Sequence, residues 1–515
     1  MTNGNTNTVV VSSFKKQLKV LLLLPFFTLL IGFSLVFFFL PFYIFRTILS
    51  FLVKWWDPQV SRVLTGLSAS LLRDFESHQV KPLSTIVVCL KGRGELTFPE
   101  FREQFNKQII LRRDPLNKQA LQFPELQQYY KNCMGYMFLK WDQNFNIADH
   151  IHLYENGKNN VIRRDEIMKI WQELMVKPFQ KNKSPWEAIL LQNAELDDGN
   201  GVCDKVIFLR IHHGIADGFS VQKLLTSLDD EFIPSTNIIP ANYSKFQKVL
   251  INFRTAVFGP YDLLNKMVNC KEDYHSLHLQ AKDLAKEYFV LESSFMQVEN
   301  IKKAKREYGV AFTTILISIV CGGIRRYLDK TEKPFPNPHL LGIPFAIQGH
   351  SNKLENNFLI APLTLPIHLP QARERIFDIQ SQIAALYKSS ISHMLGLSID
   401  LLSFLPLKLM RTLTKKSVFS TAYSTLPGPT QPLGIKSGRL YEVNFTYGTG
   451  AASLGLCFSS ITYLGRLRMT IFVDKNLVGS WDQAEQLIEC LTEEYKNLCK
   501  GVLTRSNLRS HIRSS

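Results

Sequence analysis

The chain has 515 residues, of which 45% are hydrophobic and 20% are charged. This length exceeds one ordinary hydrophobic core, so we expect two or more domains. Sixty Lys and Arg against 44 Asp and Glu give a net charge of +16, which suits a membrane surface, nucleic acid or a phosphate-bearing coenzyme. The sequence has no nucleic-acid-binding motif, so we expect no nucleic-acid partner.

The N-terminal region predicts a membrane segment. No charge occurs from Val20 to Phe45, and apolar sequence resumes up to Val53. At about 1.5 Å per residue this run exceeds the roughly 30 Å of a hydrocarbon core, and it is too long for a signal peptide. One tilted span, or a re-entrant hairpin bent near Pro25 or Pro41, would fit. Basic residues flank both sides and give no orientation.

The remaining sequence alternates between strand and helix patterns. The predicted strands are 84–92, 135–141, 185–193, 204–213, 339–347, 357–367, 441–450, 452–465 and 466–474. The predicted helices are 97–110, opened by Thr97 and Pro99, then 160–179, 220–232, 311–330, 373–390 and 481–500. A polar stretch at 233–285 predicts an irregular linker. The apolar segment 391–416, which has a basic end, predicts an amphipathic helix or helix pair on a membrane, or equally a layer packed between two halves.

The eight cysteines are scattered, without C-x-x-C pairs or zinc spacing. Several lie inside apolar runs. We therefore predict buried free thiols in a reducing compartment.

The sequence "HHGIADG" (212–218) directly follows a predicted strand. His213 and Asp217 form an H-x-x-x-D pattern, which suits a general base held near an aspartate, with Gly218 permitting a tight turn. A strand end leading into a glycine-containing loop often presents such a base.

Three other interpretations apply to the same residues. His212 and Asp217 form the H-x-x-x-x-D spacing of glycerolipid acyltransferases, but the F-P-E-G motif expected downstream is absent, since "FPE" occurs only at 98–100 and 123–125. A metal site of two histidines and a carboxylate is disfavoured, because adjacent side chains on a strand diverge and no other His–carboxylate cluster is evident. In the third interpretation, the two histidines are hydrogen-bonded in the core and have no catalytic role.

"HHGIADG" resembles the H-H-x-x-x-D-G signature of coenzyme A-dependent acyltransferases and peptide-synthetase condensation domains. Residues 55–500 are most similar to the wax ester synthase/diacylglycerol acyltransferase (WS/DGAT) family. The similar segments are "WDQNFNIADHIH" (141–152), "SPWEAILLQ" (184–192), "RRYL" (325–328), "ENNFLIAPLTLPI" (355–367), "STLPGP" (424–429) and "SITYLGRLRMTIFVD" (460–474). Thr425 stands where the family turn usually has Asn, and "FTTILIS" (312–318) lacks the family's Asn-Asp pair, which leaves the substrate open.

The resemblance implies an α/β (α+β) fold of two chloramphenicol-acetyltransferase-like halves around a central tunnel, with the N-terminal membrane segment added. It implies that His213 takes the proton of the acceptor hydroxyl and that Asp217 holds the loop. His212 and Gly218 would shape the loop. No cofactor and no metal are implied, with acyl-CoA as the co-substrate.

The predicted function is membrane-bound O-acyl transfer from acyl-CoA to diacylglycerol or a long-chain alcohol, with membrane lipids as partners. The alternative is a non-catalytic lipid-binding scaffold on the same fold. The predicted regions are an anchor (1–54), a first half (55–232), a linker (233–285), a second half (286–500) and a basic tail (501–515). We expect an endoplasmic reticulum membrane with the catalytic part facing the cytosol, or alternatively the plasma membrane.

Overall fold

The computed structural model describes residues 30–72 apart from 31 and 35, and also 84–155, 161–195, 204–229, 272–346, 353–413, 419–435, 438–448 and 454–513. Between 244 and 262 it describes 244, 246, 249–250, 253–255 and 257–262. All structural statements below concern these residues.

The α-helices are α1 (Gly32–Trp56), α2 (Gly66–Ser70), α3 (Phe98–Phe105), α4 (Arg164–Val176), α5 (Gly218–Thr226), α6 (the described residues of 246–262), α7 (Val298–Tyr308), α8 (Phe312–Lys330), α9 (Ala372–Lys388), α10 (Ile391–Leu402), α11 (Leu407–Leu413), α12 (Lys475–Val478) and α13 (Trp481–Arg513). A π-helical turn, Asn106–Ile110, extends α3. Short 3₁₀ turns occupy Pro124–Gln127 and Ile147–Asp149.

The strands are β1 (Val60–Val63), β2 (Thr85–Arg93), β3 (Gln128–Cys133), β4 (Tyr136–Trp141), β5 (Ile151–Leu153), β6 (Ile162–Arg163), β7 (Trp186–Glu195), β8 (Asp204–His212), β9 (Tyr288–Glu292), β10 (Met296–Gln297), β11 (His339–Ala346), β12 (Phe358–Leu365), β13 (Thr421–Leu426), β14 (Gly434–Ile435), β15 (Gly438–Tyr447), β16 (Leu456–Tyr463) and β17 (Arg466–Asp474). They form two seven-stranded sheets and a three-stranded sheet of order β1-β4-β3.

The first large sheet has the order β14-β15-β2-β8-β7-β5, with β6 also beside β7. Its central strands β2 and β8 are almost wholly buried, as expected for apolar runs covered on both faces. The helix α4 packs against this sheet through Trp171, whose indole N–H donates to the Thr446 hydroxyl at 2.7 Å. The predicted strands at 84–92, 185–193 and 204–213 are confirmed.

The second large sheet has the order β10-β17-β16-β13-β11-β12, with β9 beside β17. Its pairs β11–β13 and β13–β16 are parallel, and the others are antiparallel. The apolar helix α8 covers it and is itself buried along most of its length. A separate hydrophobic core fills the space between this sheet and α7, α8, α9 and α13.

One strand ties the two sheets together. β15 comes from the sequence assigned to the second half, yet it pairs antiparallel with β2 of the first sheet, from Arg439–Arg93 to Tyr447–Ile86. Between the sheets, Lys91 Nζ donates to Glu292 at 2.7 Å and to Glu442 at 3.0 Å, with all three side chains buried. The two halves therefore share both a strand and a buried ion-pair cluster.

The sequence predicted the start of α3 correctly and missed several other elements. The predicted start of α3 is confirmed as a capping box, in which Thr97 and Glu100 each satisfy the other's backbone N–H. The strands β3, β9 and β13 and the helix α7 were not predicted. The described residues between 246 and 262 are all helical, so the prediction of an irregular linker is wrong there.

The described part of the N-terminal apolar run forms α1, which is long and apolar enough to cross a membrane. Residues 1–29 lie outside the described part, so the predicted start near Val20 and the bend at Pro25 do too. One side of α1 packs on the three-stranded sheet through Leu49 and Val53, which are buried against Tyr136. Most of its remaining apolar side chains are exposed.

The segment predicted at 391–416 forms α10 and α11, with 414–418 outside the described part. Its buried side meets α2, because a Cβ on Gly66 would lie 2.5 Å from Ser403 Cβ. Its other side is open, with Leu397 and Leu413 exposed. The helix pair is therefore packed on one face and accessible on the other.

Candidate active site

The two adjacent histidines stand at the end of β8. This strand lies between β2 and β7, with His212 opposite Thr85. The chain leaves the strand at His213, whose backbone N–H donates to the Ser84 carbonyl oxygen at 2.8 Å. Because successive side chains of extended backbone point to opposite sides, the two imidazoles enter different surroundings.

The His213 ring is only 6% exposed and is oriented by Asn356. Nδ1 of His213 lies 3.1 Å from Oδ1 of Asn356. The Asn356 amide N–H₂ donates to the His213 carbonyl oxygen at 2.6 Å and to the Ser68 hydroxyl at 3.1 Å. Its Oδ1 is therefore the acceptor, so Nδ1 of the neutral ring carries the proton and Nε2 is the basic nitrogen.

Burial sets the protonation state of this histidine. It lowers the pKa of His213 below the usual 6.5, and the negative charge of nearby Asp217 offsets part of this effect. The ring is therefore neutral at physiological pH. A neutral imidazole with one free nitrogen is the form that can accept a proton.

His212 faces a different environment, where its Nδ1 has two neighbours. Its Nδ1 accepts a hydrogen bond from the Gly214 N–H at 3.0 Å, and the Tyr130 hydroxyl lies 3.2 Å from the same nitrogen. A Cβ on Gly214 would lie 2.7 Å from that hydroxyl. Through these contacts His212 holds the loop, and its role in shaping the loop stays a prediction.

Asp217 caps α5 and joins the two halves. Its Oδ1 accepts from the Ser220 N–H at 2.8 Å, and its Oδ2 accepts from the Asn357 N–H at 2.9 Å. The Ser220 hydroxyl also donates to the Glu355 carbonyl oxygen at 2.9 Å. Both carboxylate oxygens thus hold backbone in place, which is the arrangement expected of a structural residue.

A cavity of about 100 Å³ lies beside His213. Gly218 is at its wall, where a Cβ would lie 3.0 Å from Leu426. The apolar lining comes from both halves and consists of Leu71, Ile86, Phe219, Pro344, Phe358, Ile360, Phe419, Ala422, Leu426 and Phe445. This lining suits an acyl chain or another apolar group.

The hydroxyl-bearing residues Thr425 and Tyr447 also line this cavity. The Thr425 hydroxyl accepts from Ser460 at 3.0 Å, and Ser460 lies 2.8 Å from the Tyr423 hydroxyl. Tyr447 is 7% exposed, and within the described part of the chain its buried hydroxyl has no hydrogen-bond partner. A buried hydroxyl without a partner is costly, which makes Tyr447 a candidate contact for a polar group of a bound molecule.

A larger cavity, about 480 Å³, lies elsewhere, beside α4 and α13. Arg163 and Arg164 line it, but so do four carboxylates, Asp165, Glu195, Glu292 and Glu485. The opposing charges leave no excess positive charge there for coenzyme A phosphates. We therefore assign no coenzyme site to it.

The structure also brings together a His–carboxylate cluster that the sequence did not reveal. Glu272 Oε1 lies 2.8 Å from His275 Nε2 and 3.1 Å from His339 Nδ1. Three such ligand atoms could hold a metal ion. However, His275 Nδ1 accepts the Leu277 N–H at 3.1 Å, so Nε2 carries the proton and donates to Glu272 instead.

Glu272 is satisfied by this cluster. Its carboxylate also accepts from the Ser420 N–H and hydroxyl and from the Leu340 N–H. Burial alone would raise the pKa of Glu272, but the hydrogen bonds from His275 and His339 hold it well below 4.5. The cluster is a hydrogen-bonded centre, and we assign it no metal.

Sequence reasoning found the histidine but missed its partner. Asn356 lies 143 residues from His213 along the chain. The segment "ENNF" was noted only as part of a resemblance. The available signal was a pair of asparagines, Asn356 and Asn357, at the start of a predicted strand, which marks a turn but not a contact.

Comparisons with known proteins bear on the family and the fold of this chain. Residues 354–499 match the WS/DGAT C-terminal domain family. No curated protein matches the chain in sequence. The resemblance of the sequence to WS/DGAT is confirmed, with the family match itself resting on the C-terminal part.

Solved structures match most of the chain. The wax ester synthase/diacylglycerol acyltransferase of Marinobacter aquaeolei VT8 has 14% identity and a TM-score of 0.55, covering 85% of this chain and 99% of that one. The trichothecene 15-O-acetyltransferase TRI3 of Fusarium sporotrichioides has 12% identity and a TM-score of 0.54, covering 85% and 94%. A variant starter condensation domain of rhizomide synthetase RzmA in complex with C8-CoA has 10% identity and a TM-score of 0.54, covering 87% and 95%. The predicted two-part acyltransferase fold is confirmed.

Proposed function

We propose that this chain is a membrane-bound O-acyltransferase that moves a fatty acyl group from acyl-CoA to a lipid alcohol. The acceptor is diacylglycerol, giving triacylglycerol, or a long-chain alcohol, giving a wax ester. The observation that carries the proposal is the His213–Asn356 pair, which presents a neutral imidazole to an apolar cavity. The acyltransferase fold and the WS/DGAT match support the reaction class.

In the proposed reaction, His213 Nε2 takes the proton of the acceptor hydroxyl. The hydroxyl oxygen bonds to the thioester carbonyl carbon and forms a tetrahedral intermediate. When this collapses, the carbon–sulfur bond breaks, and the coenzyme A sulfur leaves and takes the proton back from Nε2. The ester and free coenzyme A are the products, and the histidine returns to its starting state.

The oxyanion of that intermediate needs a hydrogen-bond donor. The Thr425 hydroxyl accepts from Ser460 and can direct its own proton into the cavity. We assign it this role. The Thr425 position, where the family turn usually has Asn, therefore still offers a side-chain donor.

We assign the catalytic part to the cytosolic side of the endoplasmic reticulum membrane. Acyl-CoA is charged and does not cross a bilayer unaided, and α1 could provide the anchor. The six described cysteines are free. Cys203 and Cys270 lie outside the described part.

Glycosylation tests on which side of the membrane the catalytic part lies. The sequence has three glycosylation acceptor sequences, which are Asn182-Lys-Ser, Asn242-Tyr-Ser and Asn444-Phe-Thr. Asn444 is buried and bonded to Glu292 and Glu442, so it cannot carry a glycan in the folded protein. Asn182 lies in a turn, and Pro185 follows it closely. Asn242, outside the described part, is the informative site. We expect no glycan there, and a mass shift removed by Asn242→Gln would place the catalytic part in the lumen.

Turnover tests the function itself. Membranes bearing the full chain would be incubated with labelled acyl-CoA and a panel of diacylglycerol, monoacylglycerol and long-chain alcohols, and the lipids would be separated. We expect labelled ester with at least one alcohol, lost in His213→Ala and kept in the control His368→Ala, whose histidine is exposed. A folded chain that esterifies none of them would instead be the non-catalytic lipid-binding scaffold.

A further inference from the structure

The segment α6 carries an apolar face that is turned to solvent. Phe246, Val249, Leu250 and Phe253 have the spacing i, i+3, i+4, i+7 of one helix face. Their exposed fractions are 77%, 66%, 56% and 64%. A helix on a soluble protein buries such a stripe against the core, so this orientation calls for a different apolar partner.

The opposite face of α6 is packed on the protein. Thr255 and Gly259 are buried, and at about 100° per residue they lie on the side opposite the apolar stripe. A Cβ on Gly259 would lie 2.9 Å from Met394 of α10. Near the end of α6, Asp262 accepts a hydrogen bond from Ser390. These contacts fix α6 with its apolar stripe directed away from the protein.

The helix α10 connects this stripe to α1. At its start it contacts α6, and just past its end Phe404 meets Tyr43 of α1 with ring centroids 5.0 Å apart. With 12 residues, α10 is about 18 Å long. The helix α1 also exposes bulky apolar groups, including Phe33, Phe37 and Phe51. Two exposed apolar faces therefore flank one short helix.

The sequence of α6 and of its flanks is basic. From 244 to 271 the sequence has one acidic residue, Asp262, against the basic residues Lys245, Lys248, Arg254, Lys266 and Lys271. A basic helix with an exposed apolar face has the composition of one that lies in a membrane interface. Anionic headgroups would complement the positive charge.

We propose that the apolar face of α6 docks in the same bilayer that α1 enters, with anionic headgroups complementing the positive charge of its sequence. The identity of the bilayer rests on the proposed function, whereas the exposure of the stripe does not. The helix α10 separates α6 from β12, since a Cβ on Gly396 would lie 3.7 Å from Leu359. Two other residues of β12, Phe358 and Ile360, line the cavity beside His213. Because successive side chains of β12 point to opposite faces, α10 and the strand β12 lie between α6 and the cavity. Docking thus brings the cavity within one helix and one strand of the lipid from which a water-insoluble alcohol must come.

Photo-crosslinking tests the contact directly. The full chain would be reconstituted into phosphatidylcholine vesicles with or without phosphatidylserine, with p-benzoylphenylalanine incorporated in place of Phe253. The matched control places it at Phe377, another exposed phenylalanine, on α9. We expect at least about tenfold more phospholipid adduct at position 253, increasing with phosphatidylserine. Equal yields at the two positions, or an adduct at 253 to protein instead of lipid, would overturn the proposal.

A double variant tests the consequence for turnover. Val249→Glu with Phe253→Glu should lower esterification of diacylglycerol in vesicles by about tenfold and leave a short-chain alcohol in detergent unaffected. An equal loss with both acceptors would contradict a docking role. The crosslink needs no turnover, so the outcomes separate. An adduct without any ester formation would support the membrane-docking surface and contradict the proposed function. Ester formation without an adduct would support the proposed function and contradict the docking surface.

Discussion

Two regions of this molecule place histidines against a side-chain oxygen, and they differ in what remains unbonded. In the Glu272 cluster, His275 and His339 both donate to a carboxylate, and their other nitrogens also have partners, Leu277 and Thr421. Beside the cavity, His213 donates to a neutral amide, and within the described part of the chain its Nε2 has no partner. The presence of a histidine therefore says little, whereas a buried ring with one free nitrogen facing a cavity indicates chemistry.

The largest effect expected from this contrast is at His213. His213→Ala should lower ester formation by about a hundredfold or more, the scale of a lost general base, with near-normal yield of folded protein. The measurement is the initial rate on acyl-CoA with the preferred alcohol. Retention of more than about a third of the activity would show that the proposed mechanism is wrong.

Asp217 should affect folding and activity together. Asp217→Ala removes the α5 cap and the bond to Asn357, and a lost cap alone costs about 1 kcal/mol. We expect a lower thermal midpoint and a lower yield along with lower activity, and a milder effect for Asp217→Asn. An inactive Asp217→Ala protein of normal thermal midpoint would instead indicate a catalytic role.

Asn356 should set the pH dependence. Because burial lowers the pKa of His213, the acid limb of the rate should have its midpoint below pH 6.5. Asn356→Asp places a carboxylate against Nδ1, which favours the charged ring, so the midpoint should move to higher pH, with about a tenfold loss at neutral pH. A merely structural role would lower stability and leave the midpoint unchanged.

The smallest effect is expected at the Glu272 cluster. His275→Ala removes one hydrogen bond to a charged group, which costs about 1.5–3 kcal/mol when its partner stays buried and less here because Glu272 keeps four others. The thermal midpoint should fall by a few degrees with the specific activity unchanged. Because the pKa of Glu272 is lowered by folding, this stabilisation is present above pH 4.5 and is lost as the pH falls further.

A metal chelator tests whether the Glu272 cluster binds a metal ion. The thermal midpoint should not respond to it, because the His275 tautomer leaves no lone pair for a metal. A midpoint that falls with chelator and is restored by zinc would instead make the cluster a metal site.

The sequence predicted those parts of the molecule that local pattern determines. The apolar runs of β2 and β8, the helix start at Thr97 and the histidine motif at a strand end all depend on neighbouring residues. Asn356 could not be predicted, because its role depends on contact across 143 residues. The helix α6 was misjudged for another reason: the polar sequence on both sides of it, within 233–285, concealed the apolar residues that share one face.

The strand β15 has a consequence for how the protein is made. Its Glu442 and the Lys91 it meets are 351 residues apart, and at roughly 5–20 residues per second the ribosome needs on the order of 20–70 s to bridge that interval. During this time the edge of β2 that will pair with β15 is unpaired, and an open strand edge is a template for unwanted pairing. We therefore expect a chaperone or a temporary partner strand to cover that edge in the nascent chain. We also expect a protein cut between its halves to need co-expression of both pieces to become soluble.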